Sequence, residues 1–465
     1  MGDLALRAFT AVIALVCLVA LVRVAATVGL ALPFDPNEGW NAYHSQAAME
    51  GGALYPDSRS FLFNNYPPLS FYIVGVVGNL IGDDIVAGRI ISLLALFGVA
   101  GGIFAVLRRL GVDCVSGLFA ALLFPAGLIV FTDYVGMDDP QLLGHAADLC
   151  GLLLLLHEPR ATIRVVGAAL VFVFAGFIKH NLVALPAALA LWLAIYDRRS
   201  AARFVTTGLA FCAIGFVAFR LTYGIDLLSQ LNSPRTYSLA AFGFGVSSWL
   251  AWGGISLLGT AALFVLAPCE KFAVLCALYA VIAVALGAGF VGGAGVDMNA
   301  WFDAAIALAL SAGLLLDRLP VRPWLRSAIA VLYTLPFVAG LAIQADGRWL
   351  AADYWLHPLA GEAAAARDDV AFIRSRGGPA LCEMMSLCYW ADVPATVDVF
   401  NLGQAYATHT RNDGDLVRLI DAKYFRTAQF DSMTEFALTP GVKRAFARSY
   451  RVARSDDLGV FLVPR

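Results

Sequence analysis

The chain has 465 residues, of which 60% are hydrophobic and only 14% charged, and its formal net charge is −2. At a mean hydropathy of +0.75 too little polar surface remains to solvate a globule, which excludes a soluble enzyme and indicates an integral membrane protein. The charge balance gives no reason to expect nucleic acid as a partner. The lack of a Walker A, dinucleotide or H-E-x-x-H motif argues against nucleotide or zinc chemistry.

At about 20 apolar residues per crossing, the sequence predicts eleven spans, at 8–31, 86–107, 114–131, 138–156, 163–178, 181–196, 203–221, 246–267, 272–291, 300–316 and 326–343. The first carries Arg7 and Arg23 and no small-residue cleavage pattern, so it reads as a retained span rather than a signal peptide. Arg108 and Arg109, Arg160 and Arg164, Arg198 to Arg203, Lys271, and Arg318 to Arg326 then fall on one side. The positive-inside rule makes that side cytoplasmic. The alternation holds only if residues 67–82 do not cross, so they are predicted to form a helix lying on the outer face. The expected fold is an all-α polytopic membrane domain of about 11 transmembrane helices over residues 1–345. It carries a large first periplasmic loop at 33–85 and is followed by a small C-terminal α/β periplasmic domain at 346–465.

The first outer loop gathers Asp35, Glu38, Glu50 and Asp57 among Trp40, Tyr43, Tyr55 and Tyr66. Acids and aromatics at the mouth of a membrane domain suit a polar, sugar-like substrate. Asp35 and Glu38 are three apart and share a face if a helix starts after Pro36; alternatively, one of them caps that helix. His44 is a candidate ligand or base, or an ordinary polar contact. Pro67 and Pro68 break the chain. Arg89 either binds a phosphate from outside or pairs with Asp84. The second outer loop holds Asp133, Asp138 and Asp139, which repel one another unless a cation, a substrate hydroxyl or a shared proton relieves them. Acids at this depth are functional suspects, simple solvation being the alternative. His145 and Asp148, farther along the same span, suit an internal ion pair as well as chemistry. Lys179, His180, Arg220 and Arg235 are basic on the outer side, against the rule. A lipid phosphate would explain them, and so would snorkelling to headgroups. A glycine-rich turn from Gly292 brings Asp297, Asn299 and Asp303 to the same face, a weak signal alone.

After about residue 345 charge returns and short elements alternate: helix 362–376, strand 380–383, helix 386–391, strand 396–400, helix 414–422, strand 425–430, helix 433–447 and strand 460–463. Such alternation predicts an α/β domain. Cys382 and Cys388 would meet an oxidising compartment there; they could bridge, unless a strand-to-helix geometry forbids it. The other six cysteines read as small apolar fillers.

Asp35-Pro36-Asn37-Glu38-Gly39, Gly52-Ala53-Leu54-Tyr55-Pro56, Tyr66-Pro67-Pro68-Leu69, Gly88-Arg89-Ile90 and the acids from Asp133 to Asp139 together resemble the type C membrane glycosyltransferases. This group includes protein O-mannosyltransferases and the aminoarabinose and galacturonic acid transferases of lipid A. The resemblance spans most of residues 1–345. It implies a multi-pass protein of the bacterial inner membrane with a periplasmic active site. It further implies an inverting transfer from a polyprenyl-phosphate-linked sugar to a lipid, glycan or protein acceptor. By position Asp35 or Glu38 would be the base and Asp138 or Asp139 the second-loop acid. Trp40, Tyr43, Tyr55, Tyr66, Arg89, Asp133, Lys179, His180, Arg220, Arg235 and Asn299 would bind substrate. Many members have an adjacent Asp-Glu pair where this chain has Asn37-Glu38, and some have a Lys where Tyr66 stands, so the phosphate contact would come from Lys179 or Arg220. No cofactor is required by the residues, although an acid cluster could hold a divalent cation. The rival readings are a transporter or flippase of a lipid-linked sugar and a non-catalytic envelope-assembly scaffold. A transporter normally shows paired repeats with polar residues at the midplane, whereas here they cluster at one face.

Overall fold

A computed structural model describes residues 2–57, 59–132, 134–157, 161–225, 227–318, 323–344 and 359–465. The helices in order are α1 (Gly2–Thr27), α2 (Pro36–Glu50), α3 (Leu69–Ile81), α4 (Asp84–Arg109), α5 (Cys114–Phe131), α6 (Gln141–Leu155), α7 (Thr162–Ile178), α8 (Ala184–Tyr196), α9 (Arg198–Tyr223), α10 (Leu227–Leu231), α11 (Leu239–Leu266), α12 (Lys271–Phe290), α13 (Phe302–Arg318) and α14 (Pro323–Gln344). Each of the eleven predicted spans is therefore a helix. Eight helices among the described residues are long and apolar enough to cross a membrane, and α6, α7 and α8 are shorter apolar helices. Outward-facing Leu4, Leu15, Leu94, Leu209, Leu258 and Val281 are more than half exposed, as helices solvated by lipid tails require. The exception is α13, whose residues from Phe302 to Leu316 are all buried. It is the shaft around which α4, α5, α11 and α12 pack.

Local chemistry sets the helix ends. Asp83 caps α4 by accepting from the Ile85 and Val86 amides, and Arg108 and Arg109 close its last turn, each charge matching the helix dipole. Asp113 caps α5 in the same way. The arginine-rich loops assemble at one end of the bundle. There Arg326 Nη2 donates to Asp113 Oδ2 at 2.6 Å, the Asp113 amide to Asp317 Oδ1 at 2.8 Å, and Arg318 Nη2 to the Leu110 carbonyl at 3.0 Å. Helix α3 is the segment expected to lie rather than cross. It runs along α2 and α4, and the residues bounding it contact either the first loop or the C-terminal domain, so it does not carry the chain to the arginine-rich end.

The C-terminal part is an α/β layer with α15 (Ala360–Arg376), β1 (Ala380–Cys382), α16 (Met385–Trp390), α17 (Val399–Ala407), α18 (Gly414–Asp421), β2 (Thr427–Phe430), α19 (Pro440–Ser449), β3 (Tyr450–Asp456) and β4 (Gly459–Pro464). The sheet order is β1-β2-β4-β3; β1 and β2 are parallel and the other pairings antiparallel. Cys382 and Cys388 form a disulfide between β1 and α16, with Cα atoms 6.0 Å apart, a separation a strand and helix can meet. The expected helix at 433–447 begins only at Pro440, capped by Thr439, which accepts from the Val442 amide. The predicted strand at 396–400 instead enters α17, because Asp398 accepts from the Asn401 amide as its N-cap. The pattern also missed β3, a charged strand with one buried residue in its first four, which pairs along β4 at the sheet edge. The expected boundary at 345–346 lies outside the described residues.

Hydrogen bonds sew this domain to the first loop. Trp40 Nε1 donates to Asp398 Oδ2 at 3.0 Å, the Asp398 amide to the Phe61 carbonyl at 3.0 Å, Trp390 Nε1 to Asp83 Oδ2 at 3.0 Å, and the Tyr43 hydroxyl to the Val393 carbonyl. Gly39 on α2 lies against α16 so closely that a Cβ there would sit 2.0 Å from the Ser386 nitrogen.

Candidate active site

The site is built where α2 begins. Pro36 occupies the first turn, its missing N–H costing nothing there, and Asp35 is the N-cap, accepting from the Asn37 amide at 2.7 Å. Asp35 and Glu38 consequently part company. Glu38 turns into the protein and is fully buried against Arg89 of α4. All five guanidinium donors of Arg89 are engaged. Nε donates to Glu38 Oε1 at 2.7 Å. Nη2 donates to Glu38 Oε2 and the Leu32 carbonyl, both at 2.7 Å, and Nη1 to the Leu30 and Val28 carbonyls at 2.8 and 3.2 Å. Glu38 also accepts from the Phe34 and Asp138 amides at 2.9 and 3.2 Å. The pair thus fastens the end of α1, the start of α2, α4 and the second outer loop at one point. Arg89 is thus engaged by Glu38 and three backbone carbonyls and does not pair with Asp84, which instead accepts from the Tyr389 hydroxyl at 3.2 Å.

Helix α6 starts at Gln141, so Asp138 and Asp139 stand in the loop ahead of it. Asp138 is buried beside Glu38, with Oδ2 lacking a hydrogen-bond partner among the described residues. Burial, then the charges of Glu38 and Asp139, hold its pKa well above the usual carboxylate range. Its carboxyl fits against Gly88, where a Cβ would fall 1.9 Å from Oδ1. Gly88→Ala should therefore push the second loop off α4, costing about 1–3 kcal/mol; a lowered melting temperature together with reduced activity is the expected result.

Asp139 accepts from the Gln141 amide at 2.7 Å and from Lys179 Nζ at 3.2 Å. Lys179 is 3% exposed and lies 3.9 Å above the centre of the Tyr66 ring, a cation–π contact. Burial opposes its charge, but Asp139 and Tyr66 outweigh that and raise its pKa. His180 follows, its pKa brought down to about 4 by burial and by the nearby cations Lys179 and Arg235. His180 Nδ1 and Asn181 Oδ1 are buried atoms with no hydrogen-bond partner among the described residues. Asp35 is only half-buried. Burial raises its pKa to about 6, the Asn37 amide working against this and the charges of Asp139 and Glu38 adding to it. Glu38 is thus matched by Arg89 and Asp139 by Lys179, which leaves Asp35 and the buried Asp138 as the carboxyls without a cation, and of these Asp35 is the more exposed.

The remaining predicted residues divide. Tyr66 joins this group. Trp40 is buried between His44, Tyr66 and Phe71, and Tyr55 packs on Phe219 and Tyr223 with its hydroxyl donating to the Tyr66 carbonyl at 2.8 Å; both support the loop. His44 is likewise interior, Nδ1 lying 2.7 Å from the Trp40 carbonyl, and burial lowers its pKa to about 4. Tyr43 lines a cavity of about 1130 Å³ between the first loop and the C-terminal domain, together with Glu50, Asp57, Asp84 and Trp390. Arg235 Nη1 donates to the Ala294 carbonyl at 2.9 Å and Nη2 reaches Asn401 Oδ1 at 3.4 Å. Arg220 is exposed in the last turn of α9. Asn299 is half-buried in a short 3₁₀ turn before α13, and Asp133 lies outside the described residues. Sequence reasoning missed Asn41, whose Nδ2 donates to the Asp138 carbonyl at 2.7 Å, and Asp398, which anchors Trp40. Asn41 lies one helical turn from Glu38, a spacing that could have flagged it; Asp398 gave no local signal.

No curated protein matches the chain. A family model described as a 6-pyruvoyl-tetrahydropterin synthase related domain, a membrane protein, matches residues 63–222, a stretch that holds Tyr66, Arg89, Asp139 and Lys179 but not Asp35. Among solved structures, ArnT from Cupriavidus metallidurans bound to undecaprenyl phosphate aligns with a TM-score of 0.62 at 15% identity over 97% of each chain. The chain has the ArnT fold. ArnT in the apo state aligns equally, with a TM-score of 0.63 at 16% identity over 98% of each chain. This agrees with the resemblance carried by the sequence motifs and extends it through the C-terminal α/β domain.

Proposed function

We propose that the protein is an inverting glycosyltransferase that moves a sugar from a polyprenyl-phosphate donor to a hydroxyl of a lipid, glycan or protein acceptor. The reaction takes place at the end of the bundle opposite the arginine-rich loops, the periplasmic side of the bacterial inner membrane. The observation that carries the reading is the half-buried Asp35 carboxyl beside the Asp139–Lys179–Tyr66 group. ArnT, whose fold this chain shares, has been solved with undecaprenyl phosphate, a ligand of the donor's chemical class.

In the proposed step Asp35 takes the proton of the acceptor hydroxyl as its oxygen attacks the anomeric carbon. The bond from that carbon to the phosphate oxygen breaks, and the electron pair leaves with the polyprenyl phosphate. A positioned carboxylate assists such a weak nucleophile. Lys179, already charged and shielded from bulk water, stabilises the charge growing on the phosphate. His180 and Asn181, next in the chain, add buried polar atoms without a partner among the described residues. A base must be ionised, so kcat/KM should be flat above pH about 6, where Asp35 titrates, and should fall about tenfold per pH unit below it. The test is transfer from a synthetic polyprenyl-phosphate sugar to an envelope extract, read by mass spectrometry across pH 4.5–8. A hexose-, pentose- or uronate-sized gain that follows this profile supports the reading. Movement of the intact donor across a vesicle bilayer without transfer would replace it with a flippase.

A further inference from the structure

Beneath this site lies a buried cluster that the proposed transfer does not use. His145 and Asp148 are three residues apart on α6, and Asp303 is in the first turn of α13; one ligand atom from each lies within 4.8 Å of the others. They are 0%, 1% and 8% exposed. Asp303 Oδ1 accepts from the Tyr279 hydroxyl of α12 at 2.6 Å and stands 4.0 Å from His145 Nδ1. Among the described residues neither oxygen of Asp148 has a hydrogen-bond partner, nor does His145 Nδ1. The nearby buried cation, Lys179, is committed to Asp139 and Tyr66.

A carboxylate without a donor in a dry interior is costly. Protonating it removes the charge but leaves an O–H with no acceptor at hydrogen-bond distance among the described residues. The histidine points the same way. Gln141 Nε2 is placed 3.1 Å from His145 Nε2, while Gln141 Oε1 is buried without a partner. Turning the amide by half a rotation lets Oε1 accept Nε2–H and leaves the Nδ1 lone pair on the side of the carboxylates. A ring nitrogen held by a carbonyl while the other faces an acid pair is how metal-binding histidines are set.

We propose that His145, Asp148 and Asp303 bind a divalent transition-metal ion, with the nitrogen and oxygen donor set that suits zinc or manganese. Two carboxylates and a neutral imidazole carry a charge of −2, which such an ion cancels. Bound there, the ion ties α6 to α13 just below the loop that carries Asp138 and Asp139. The proposal is independent of the transfer reaction and stands whatever the chain's substrate.

The full-length protein in detergent, stripped with a chelator, is offered Zn²⁺ or Mn²⁺, with Mg²⁺ and Ca²⁺ as controls. Bound metal is then counted by plasma mass spectrometry after gel filtration, and the melting temperature recorded. One equivalent of Zn²⁺ or Mn²⁺ per chain and a metal-dependent rise in melting temperature are expected. Asp148→Asn should bind at least about tenfold more weakly, since loss of a second-shell partner alone costs that much. In chelator it should melt no lower than wild type, because it removes an uncompensated charge rather than a contact, whereas Asp35→Asn should retain the metal. Absence of stoichiometric metal in wild type, full retention by Asp148→Asn, or preference for Mg²⁺ or Ca²⁺ overturns the proposal.

Discussion

Asp35→Asn is expected to lower transfer by about 10²–10⁴-fold, the usual worth of a positioned general base, while the protein inserts, purifies and melts as wild type. The amide keeps an oxygen to accept from the Asn37 amide, so the N-cap of α2 survives. What it loses is the basic site whose pKa burial has lifted to about 6, near the pH at which a base is most effective. Asp35→Glu should keep measurable activity with a displaced acid limb, because a carboxylate remains but one carbon farther out. Comparing cells that carry wild type, Asp35→Asn and no protein by mass spectrometry of envelope glycolipids and glycans checks the result and names the sugar class. An Asp35→Asn strain with a wild-type profile would remove Asp35 from the chemistry.

Glu38→Gln should do something different: destabilise the protein. Removing one partner of a buried ion pair typically costs about 3–5 kcal/mol, because the other charge stays buried and uncompensated. Arg89 would keep its carbonyl acceptors at Leu30 and Leu32 but lose its only carboxylate among the described residues. The expected outcome is poor yield and a lowered melting temperature in detergent, with activity falling because the joint between the first loop, α4 and the second loop has loosened. The double variant Glu38→Gln, Arg89→Met should recover part of the lost stability, since it leaves no orphaned charge. The contrary result, a Glu38→Gln protein as stable as wild type yet inactive, would move the base from Asp35 to Glu38. The two neighbouring acids are thereby separated by thermal melting and activity measured on the same samples.

The sequence by itself determined the class, the positions of eleven apolar helices and the gathering of the arginine-rich loops at one end. These follow from hydropathy and charge, which act through local runs of residues. Pro67 and Pro68 likewise marked the start of α3, and alternating composition marked the α/β domain. The sequence also supplied Asp35, Glu38, Asp139, Lys179 and Tyr66 as candidates, but not their pairing. Only the tertiary structure decided that Glu38 belongs to Arg89, 51 residues away, that Lys179 belongs to Asp139, and that Trp40 is an anchor for Asp398, 358 residues away, rather than an open sugar platform. It likewise brought Asp303 to His145 and Asp148. The physical reason is that an ion pair or hydrogen bond in a buried site is chosen by which helices pack together. That choice depends on the summed fit of many side chains along α4, α6 and α13, and no short window of sequence contains it.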